Sequence, residues 1–151
     1  MDVLLDTNIL LRLVDRNDPA HVTIRAAVRI IKARGDKLVV ATQNLAEFWN
    51  VCTRPASARG GFGLLIADAG KRLRLLERIV RILPDTPAAY PIWKDLIITL
   101  GVIGVQVHDS RLVALMKVNN VSHILTLNGP DFARYAGLVV LNPATLISPG
   151  Q

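Results

Sequence analysis

Residues 2–14, DVLLDTNILLRLV, place a short apolar run directly before a polar triplet and a second apolar segment. The run Val3–Leu5 has the length and the continuous apolar character of a strand that is buried on both faces. From Asn8 to Val14 the apolar residues recur at helical spacing, which predicts a helix directly after that strand. Asp6 therefore lies at the point where a buried strand gives way to a helix.

The same strand-to-helix pattern recurs along the chain. Lys37–Ala41 is a second continuous apolar segment, and the helix predicted after it runs from Thr42, as its cap, to Val51 or Cys52. Further short strands are predicted at 82–83, 123–127 and 138–141. Strands that alternate with helices favour a parallel sheet with right-handed crossovers, so the predicted class is α/β with about five short strands.

Two of the predicted helices have well-defined signals. Asn17-Asp18-Pro19 predicts a helix with Asp18 as N-cap and Pro19 at the first helical position, and we expect Val22 to point inward with the later apolar residues. A basic amphipathic helix is predicted at Ile66–Val80. The aromatic residues Trp49, Tyr90 and Trp93 are predicted to be core residues.

Length and composition predict one domain spanning residues 1–151. The chain is 51% hydrophobic but only 5% aromatic, so its core must consist mainly of aliphatic side chains. The apolar stretch 96–107 is too short to span a membrane, and the N-terminus lacks the features of a signal peptide. The single cysteine, Cys52, excludes an intramolecular disulfide and is expected to pack in the core. We therefore expect a cytoplasmic protein without membrane association.

The chain is basic, with a net charge of +6. Seven of its 18 Lys and Arg residues fall between Arg54 and Arg81, where only Asp68 and Glu77 oppose them. A basic surface attracts polyanions, of which nucleic acid is the commonest. A solvated helix face and a surface for an acidic protein partner are the alternatives for this cluster.

Four acidic residues occupy unusual positions in this apolar chain: Asp6, Glu47, Asp109 and Asp131. Asp6 follows the first strand, Glu47 lies among apolar residues of a helix, Asp109 opens a helical pattern, and Asp131 follows the strand predicted at 123–127. Carboxylates in such surroundings are costly to desolvate unless a cation offsets their charge. Hard oxygen ligands without histidine or thiolate favour Mg²⁺ or Mn²⁺.

Topology predicts that these side chains meet. In parallel sheets the ligand site lies beyond the carboxyl ends of the strands, and Asp6, Glu47 and Asp131 all follow predicted strands within about one helical turn. Each residue also has a simpler interpretation. Asp6, Asp109 and Asp131 could each serve as a helix cap or a dipole partner, and Glu47 could lie on a solvated edge or pair with Arg54.

Four segments in order carry a family resemblance. They are Leu4–Leu11 (LLDTNILL), Asn44–Phe48 (NLAEF), Val107–Leu112 (VHDSRL) and Ile124–Phe132 (ILTLNGPDF). Together they resemble the successive motifs of PIN domains, and most closely those of the VapC-like ribonuclease toxins of bacterial and archaeal toxin–antitoxin pairs. The resemblance extends over roughly residues 2 to 143.

The resemblance implies a three-layer α/β/α fold and a Mg²⁺- or Mn²⁺-dependent endoribonuclease. It also implies an RNA substrate, a homodimer and inhibition by a cognate antitoxin protein. Asp6, Glu47 and Asp109 match the main acidic positions. Many members carry an aspartate where this chain has Asn128, so Asp131 is the alternative carboxylate of the fourth motif.

These matches suggest a division of roles in which metal-activated water hydrolyses the RNA phosphodiester bond. Asp6 and Asp109 are the predicted direct ligands, Glu47 is expected to act through water, and Asp131 is expected to complete a second or weaker site. Predicted supporting residues, which orient the carboxylates or contact phosphate, are Thr7, Asn8, Ser110, Thr126 and Asn128. Predicted contacts to the RNA backbone are Arg54, Arg59 and Arg72.

Three other functions are compatible with parts of the pattern. A phosphatase of the haloacid dehalogenase type also has an aspartate after its first strand, but it needs a second aspartate where this chain has Asn8. A PIN-like scaffold could bind RNA or protein without cleaving, although the intact set of Asp6, Glu47 and Asp109 argues against it. An RNA-processing nuclease outside a toxin–antitoxin pair is a further alternative.

Overall fold

The protein is a five-stranded, all-parallel sheet between two layers of helices. A computed structural model of the chain describes residues 1–148, so the predicted domain end at Gln151 lies outside the described residues. The strands are β1 (Asp2–Leu5), β2 (Lys37–Val40), β3 (Arg81–Ile82), β4 (His123–Leu125) and β5 (Val139–Leu141). They lie in the order β3-β2-β1-β4-β5, and each neighbouring pair is parallel. The predicted α/β class and the three-layer arrangement are confirmed.

Eight α-helices within residues 1–148 connect and cover these strands. They are α1 (Thr7–Val14), α2 (His21–Ala33), α3 (Thr42–Thr53), α4 (Ile66–Glu77), α5 (Ala89–Thr99), α6 (Val107–Val118), α7 (Gly129–Phe132) and α8 (Pro143–Ile147). A 3₁₀ turn, Gly104–Gln106, leads into α6.

The alternation of side chains along the strands creates two cores. On β1, Val3 and Leu5 face the core beneath α1 to α4, whereas Leu4 faces the core beneath α5 to α7. All three side chains are fully buried. Because β1 is the central strand and is covered on both faces, its sequence is continuously apolar rather than alternating. Cys52 is buried in the first core, as predicted, and burial raises the pKa of its thiol.

The pairing of β1 with β4 fixes what lies at the carboxyl edge of the sheet. Leu5 is in register with Leu125, and the Asp6 N–H donates to the Leu125 carbonyl at 3.0 Å. The next residue of each strand, Asp6 and Thr126, therefore emerges side by side at the centre of this edge. The edge is the site of the acidic cluster described below.

The start of α2 differs from the prediction. The helix begins at His21 with Ala20 as N-cap, and the Asp18 carboxylate accepts from the Ala20 N–H at 2.8 Å in the preceding turn. Val22 is 76% exposed rather than inward. It precedes Ile24 by two residues, which places it on the opposite face of the helix from the buried positions.

Two further helix boundaries and one aromatic position also differ. Ala41, not Thr42, is the N-cap of α3, because the Asn44 side chain accepts from the Ala41 N–H at 3.0 Å. The basic helix α4 ends at Glu77 rather than Val80, since the chain must extend to form β3. Tyr90 was predicted in the core, but it is 61% exposed.

Within residues 1–148, none of the helices has both the length and the apolar character that crossing a lipid bilayer requires.

Candidate active site

Asp6 is the centre of a hydrogen-bond network at the carboxyl end of β1. Its Oδ1 accepts from the Thr7 N–H at 2.7 Å. Its Oδ2 accepts from the Asn8 amide at 2.7 Å and from the Thr126 hydroxyl at 2.6 Å. Three donors therefore hold this carboxylate in one orientation, which a capping role alone would not need.

Asn8 and Thr126 tie the network to the loop after β4. The Asn8 Oδ1 accepts from the Leu127 N–H at 3.2 Å, and the Asn8 amide also donates to the Thr126 hydroxyl at 3.2 Å. The Thr126 hydroxyl accepts a further bond from the Asn128 N–H at 3.0 Å. With one donated and two accepted bonds, the buried Thr126 hydroxyl has its full complement of partners.

Glu47 is held by two donors from different helices. Its Oε2 accepts from the Thr7 hydroxyl at 2.7 Å, and its Oε1 accepts from the Gln43 amide at 3.0 Å. The same Gln43 amide donates to the His108 carbonyl at 3.0 Å, at the beginning of α6. Gln43 thereby links the Glu47 carboxylate to the helix that carries Asp109. Within residues 1–148 no ion pair joins Glu47 to Arg54.

Sequence reasoning missed Gln43 and Asn44. Asn44 is fully buried, and its amide donates to the Thr7 hydroxyl at 3.2 Å, which leaves that hydroxyl free to donate to Glu47. The spacing of four residues between Gln43 and Glu47 is a signal that could have identified the first contact. The second depends on the packing of α1 against α3, which no local pattern in the sequence specifies.

Asp109 and Asp131 form the less constrained side of the cluster. Asp109 lies in the first turn of α6 and is half-buried, and Asp131 lies in the first turn of α7 and is exposed. In the part of the chain that the structure describes, neither carboxylate accepts a hydrogen bond, and no Lys or Arg forms an ion pair with any of the four acids.

The four carboxylates are close enough to influence one another's ionisation. Burial, followed by the charges of Asp6, Asp131 and Glu47, raises the pKa of Asp109 to about 6, and His108 opposes this rise. Burial also raises the pKa of Asp6, with a smaller contribution from the Glu47 charge, although the bonds from Thr126, Thr7 and Asn8 lower it in part. The structure therefore brings all four predicted acids into one region of uncompensated negative charge.

The donor chemistry of this region fits a hydrated divalent cation. Within residues 1–148 no three His, Cys, Asp or Glu side chains are arranged tightly enough to hold a metal ion as a ready-made cluster. The carboxylates nevertheless lie within electrostatic range of one another. These two observations are compatible because Mg²⁺ retains several water molecules and needs only one or two direct carboxylates. Oxygen donors whose mutual repulsion a bound cation would relieve are suited to such an ion.

Two predicted supporting residues lie differently from the others. Ser110 is fully buried, and its hydroxyl bonds with the Tyr135 hydroxyl at 2.8 Å and with the Gln106 carbonyl at 3.3 Å, rather than with any of the four acids. The Asn128 side chain is exposed, and its backbone N–H contributes to the network through Thr126.

A sequence model of a protein family also matches this chain. The model of the PIN domain matches residues 3–138, a span that includes all four acids and runs from β1 through β4 to the residue before β5. This chain belongs to the PIN domain family.

Several solved structures resemble this PIN domain, at sequence identities that support a shared fold. VapBC2 from Rickettsia felis, solved with a DNA fragment from the promoter of the pair, has a TM-score of 0.70 and 16% identity over 94% of this chain and 98% of that one. VapBC-1 from nontypeable Haemophilus influenzae has a TM-score of 0.66 and 21% identity over 95% and 98% of the two chains. VapC20 from Mycobacterium tuberculosis, described as a toxin that cleaves the sarcin-ricin loop, has a TM-score of 0.62 and 18% identity over 91% and 96%. A comparison with curated proteins gave no match.

The three arginines predicted to contact RNA differ in exposure within the PIN domain. Arg59 is exposed. Arg54 and Arg72 are half-buried, and each has a guanidinium nitrogen that is buried without a hydrogen-bond partner. The Arg72 guanidinium lies 5.8 Å from the centre of the Phe62 ring, so it packs against the loop after α3.

Proposed function

We propose that this PIN domain is a Mg²⁺- or Mn²⁺-dependent endoribonuclease and the toxin of a VapBC-type toxin–antitoxin pair. The observation that carries the proposal is the gathering of Asp6, Glu47, Asp109 and Asp131 at the carboxyl edge of a parallel sheet, with no cationic side chain of the described residues paired to them. Gathering several carboxylates without a paired cation is costly, and a metal ion bound among them would offset that cost.

The residues would share the work as follows. Asp6, fixed by three donors, and Asp109, which has none, would be direct ligands, and Asp131 would complete a second or weaker site. Glu47, held by Thr7 and Gln43, would orient the attacking water and accept its proton. The bound ion would supply a more acidic water and neutralise charge on the phosphate.

The net charge, the exposed side chains and the similar structures support three partners for this chain, namely RNA, a second copy of the chain and an antitoxin. A net charge of +6 favours a polyanionic substrate, and the exposed Arg59 is suited to contact the RNA backbone, whereas Arg54 and Arg72 would shape the loop beneath it. The exposed aliphatic side chains of Ile98, Ile103 and Val105 suit an interface in a homodimer. Two of the similar structures are the VapBC2 and VapBC-1 pairs, which supports an antitoxin partner for this chain.

The test is cleavage of RNA by purified protein. We expect cleavage with Mg²⁺ or Mn²⁺, no cleavage with EDTA, and none by Asp6→Asn in either condition. Cleavage that persists in EDTA, or an Asp6→Asn variant as active as the wild type, would refute the proposal. Metal-insensitive binding without cleavage would instead favour a PIN-like scaffold that binds RNA.

A further inference from the structure

A cleft beside the acidic site has no role in the mechanism above. It has a volume of about 500 Å³ and is lined by Pro87, Ala89, Tyr90, Trp93 and Arg111, among others. This volume is ample for a planar heterocycle, and the aromatic and apolar side chains that form its wall are typical of small-molecule sites. We call it the Tyr90 cleft.

The Tyr90 cleft is joined to the acidic site by direct contacts. Arg111, two residues after Asp109 on α6, donates to the Gln43 Oε1 at 3.1 Å, and Gln43 in turn donates to Glu47. On the other wall, the Trp93 indole N–H donates to the Val107 carbonyl at 3.1 Å, at the first residue of α6. Arg111 of α6 thus lines the cleft and is connected to Glu47 through Gln43, so an RNA with one phosphate at the acids would have its neighbouring nucleotide near the cleft.

The exposed groups of the cleft are suited to stacking. Tyr90 is 61% exposed, and its ring lies 6.0 Å from that of Trp93 at an interplanar angle of 41°. The Arg111 guanidinium is held by Gln43 and by Asp85, whose Oδ2 accepts at 3.2 Å, yet the side chain remains about half exposed. Aromatic faces and guanidinium planes are the surfaces on which proteins stack unpaired RNA bases.

We propose that the Tyr90 cleft is a nucleobase-binding subsite, which receives an unpaired base of the RNA next to the cleaved phosphate and stacks it between Tyr90 and Arg111. The inference rests on the proposed function, because it takes the acidic site as the position of the phosphate. Asp85 also lines the cleft and pairs with Arg111, so the guanidinium offers a fixed plane for stacking, and a base of a nucleic acid fits this wall better than an apolar protein segment.

Binding of a defined probe tests the subsite. The probe is a fluorescein-labelled 16-nucleotide RNA pool of random sequence, titrated by anisotropy against protein in the Asp109→Asn background so that turnover does not interfere. Loss of one base–aromatic stacking contact costs about 1–3 kcal/mol, so Tyr90→Ala should weaken binding by about tenfold. Tyr90→Phe keeps the ring and should bind like the parent. Val22→Ala removes an exposed aliphatic side chain from α2, which does not line the cleft, and serves as the control.

A second measurement identifies the base as the bound group. After the cleavage position in one RNA has been mapped, abasic sites are introduced on either side of it one at a time. At the position that occupies the cleft, removal of the base should weaken RNA binding by the Asp109→Asn protein about tenfold, and it should leave the affinity of the Asp109→Asn protein that also carries Tyr90→Ala unchanged. Equal effects of every abasic site on the two proteins would overturn the subsite.

The possible failures are distinguishable from those of the proposed function. Metal-dependent cleavage with Tyr90→Ala unaltered in both RNA binding and KM would overturn the subsite and leave the nuclease proposal intact. Tyr90-dependent binding without any cleavage would support the subsite and refute the nuclease. No binding of the probe would overturn the subsite. So would a Tyr90→Ala variant that changes the sedimentation of the protein but not its affinity for RNA, because the cleft would then be a contact between copies of the chain.

Discussion

The two halves of the acidic cluster are built differently. Asp6 and Glu47 accept five hydrogen bonds between them from residues of α1, α3 and the loop after β4, so their carboxylates are held before any ligand arrives. Asp109 and Asp131 lie at the first turns of two helices and accept none from the described residues. Asp6 and Glu47, the constrained half, therefore hold their carboxylates at fixed positions. Asp109 and Asp131, the unconstrained half, add negative charge that a bound cation would offset.

The largest expected effect is a loss of RNA cleavage, and we expect it from substitutions in either half of the cluster. Asp6→Asn and Asp109→Asn should each reduce RNA cleavage on the order of 10³-fold, since each removes a group that acts on the charge of the transition state. Circular dichroism should show that both variants remain folded. A fully active Asp109→Asn variant would mean that the unconstrained half has no part in the chemistry.

The next largest effect is the stabilisation of the protein by a bound metal ion, which should depend on Asp109 of the unconstrained half. At 100 times its dissociation constant, Mn²⁺ should stabilise the wild type by about 2.7 kcal/mol, seen as a rise in Tm. Asp109→Asn should lose most of this rise. Arg111→Ala, which removes a neighbouring side chain outside the carboxylate set, should retain it.

Stability in the absence of metal should respond to the constrained half. Thr126→Val removes a buried hydroxyl that donates to Asp6 and accepts from Asn8 and Asn128, so it should lower the free energy of unfolding by about 1–3 kcal/mol in urea titrations. Asp109→Asn should do the opposite and raise the stability of the metal-free protein, because it removes a repelled charge. A Thr126→Val variant that is more stable than the wild type would show that the hydrogen bonds around Asp6 do not stabilise the fold.

The smallest effect concerns pH. The pKa of Asp109 is about 6 in the folded protein and close to 3.8 when unfolded, so the folded state holds the proton more tightly. The resulting stabilisation is complete below about pH 3.8 and is lost as pH rises through about 6. The stability of the metal-free wild type should therefore fall relative to Asp109→Asn between pH 4 and 6.5. Parallel stability curves for the two proteins over this range would contradict the raised pKa of Asp109, which burial and then the neighbouring carboxylates cause.

The same contrast explains how much of the site the sequence could predict. Asp6 and Thr126 were predictable because each directly follows an apolar strand, and parallel strands present their carboxyl ends at one edge. The link from Gln43 to His108 was not, because it depends on how α3 and α6 approach each other. Val22 shows a simpler error, since its spacing from Ile24 already placed it on the outer face of α2.

Anomalous diffraction from a crystal soaked in Mn²⁺, at a concentration that supports RNA cleavage, examines the acidic cluster most directly. We expect an anomalous peak in contact with a carboxylate oxygen of Asp6 or Asp109, with water completing the coordination shell. Side chains of these two residues that point away from each other, with no peak between them, would contradict the assignment of this edge as a metal-dependent nuclease site.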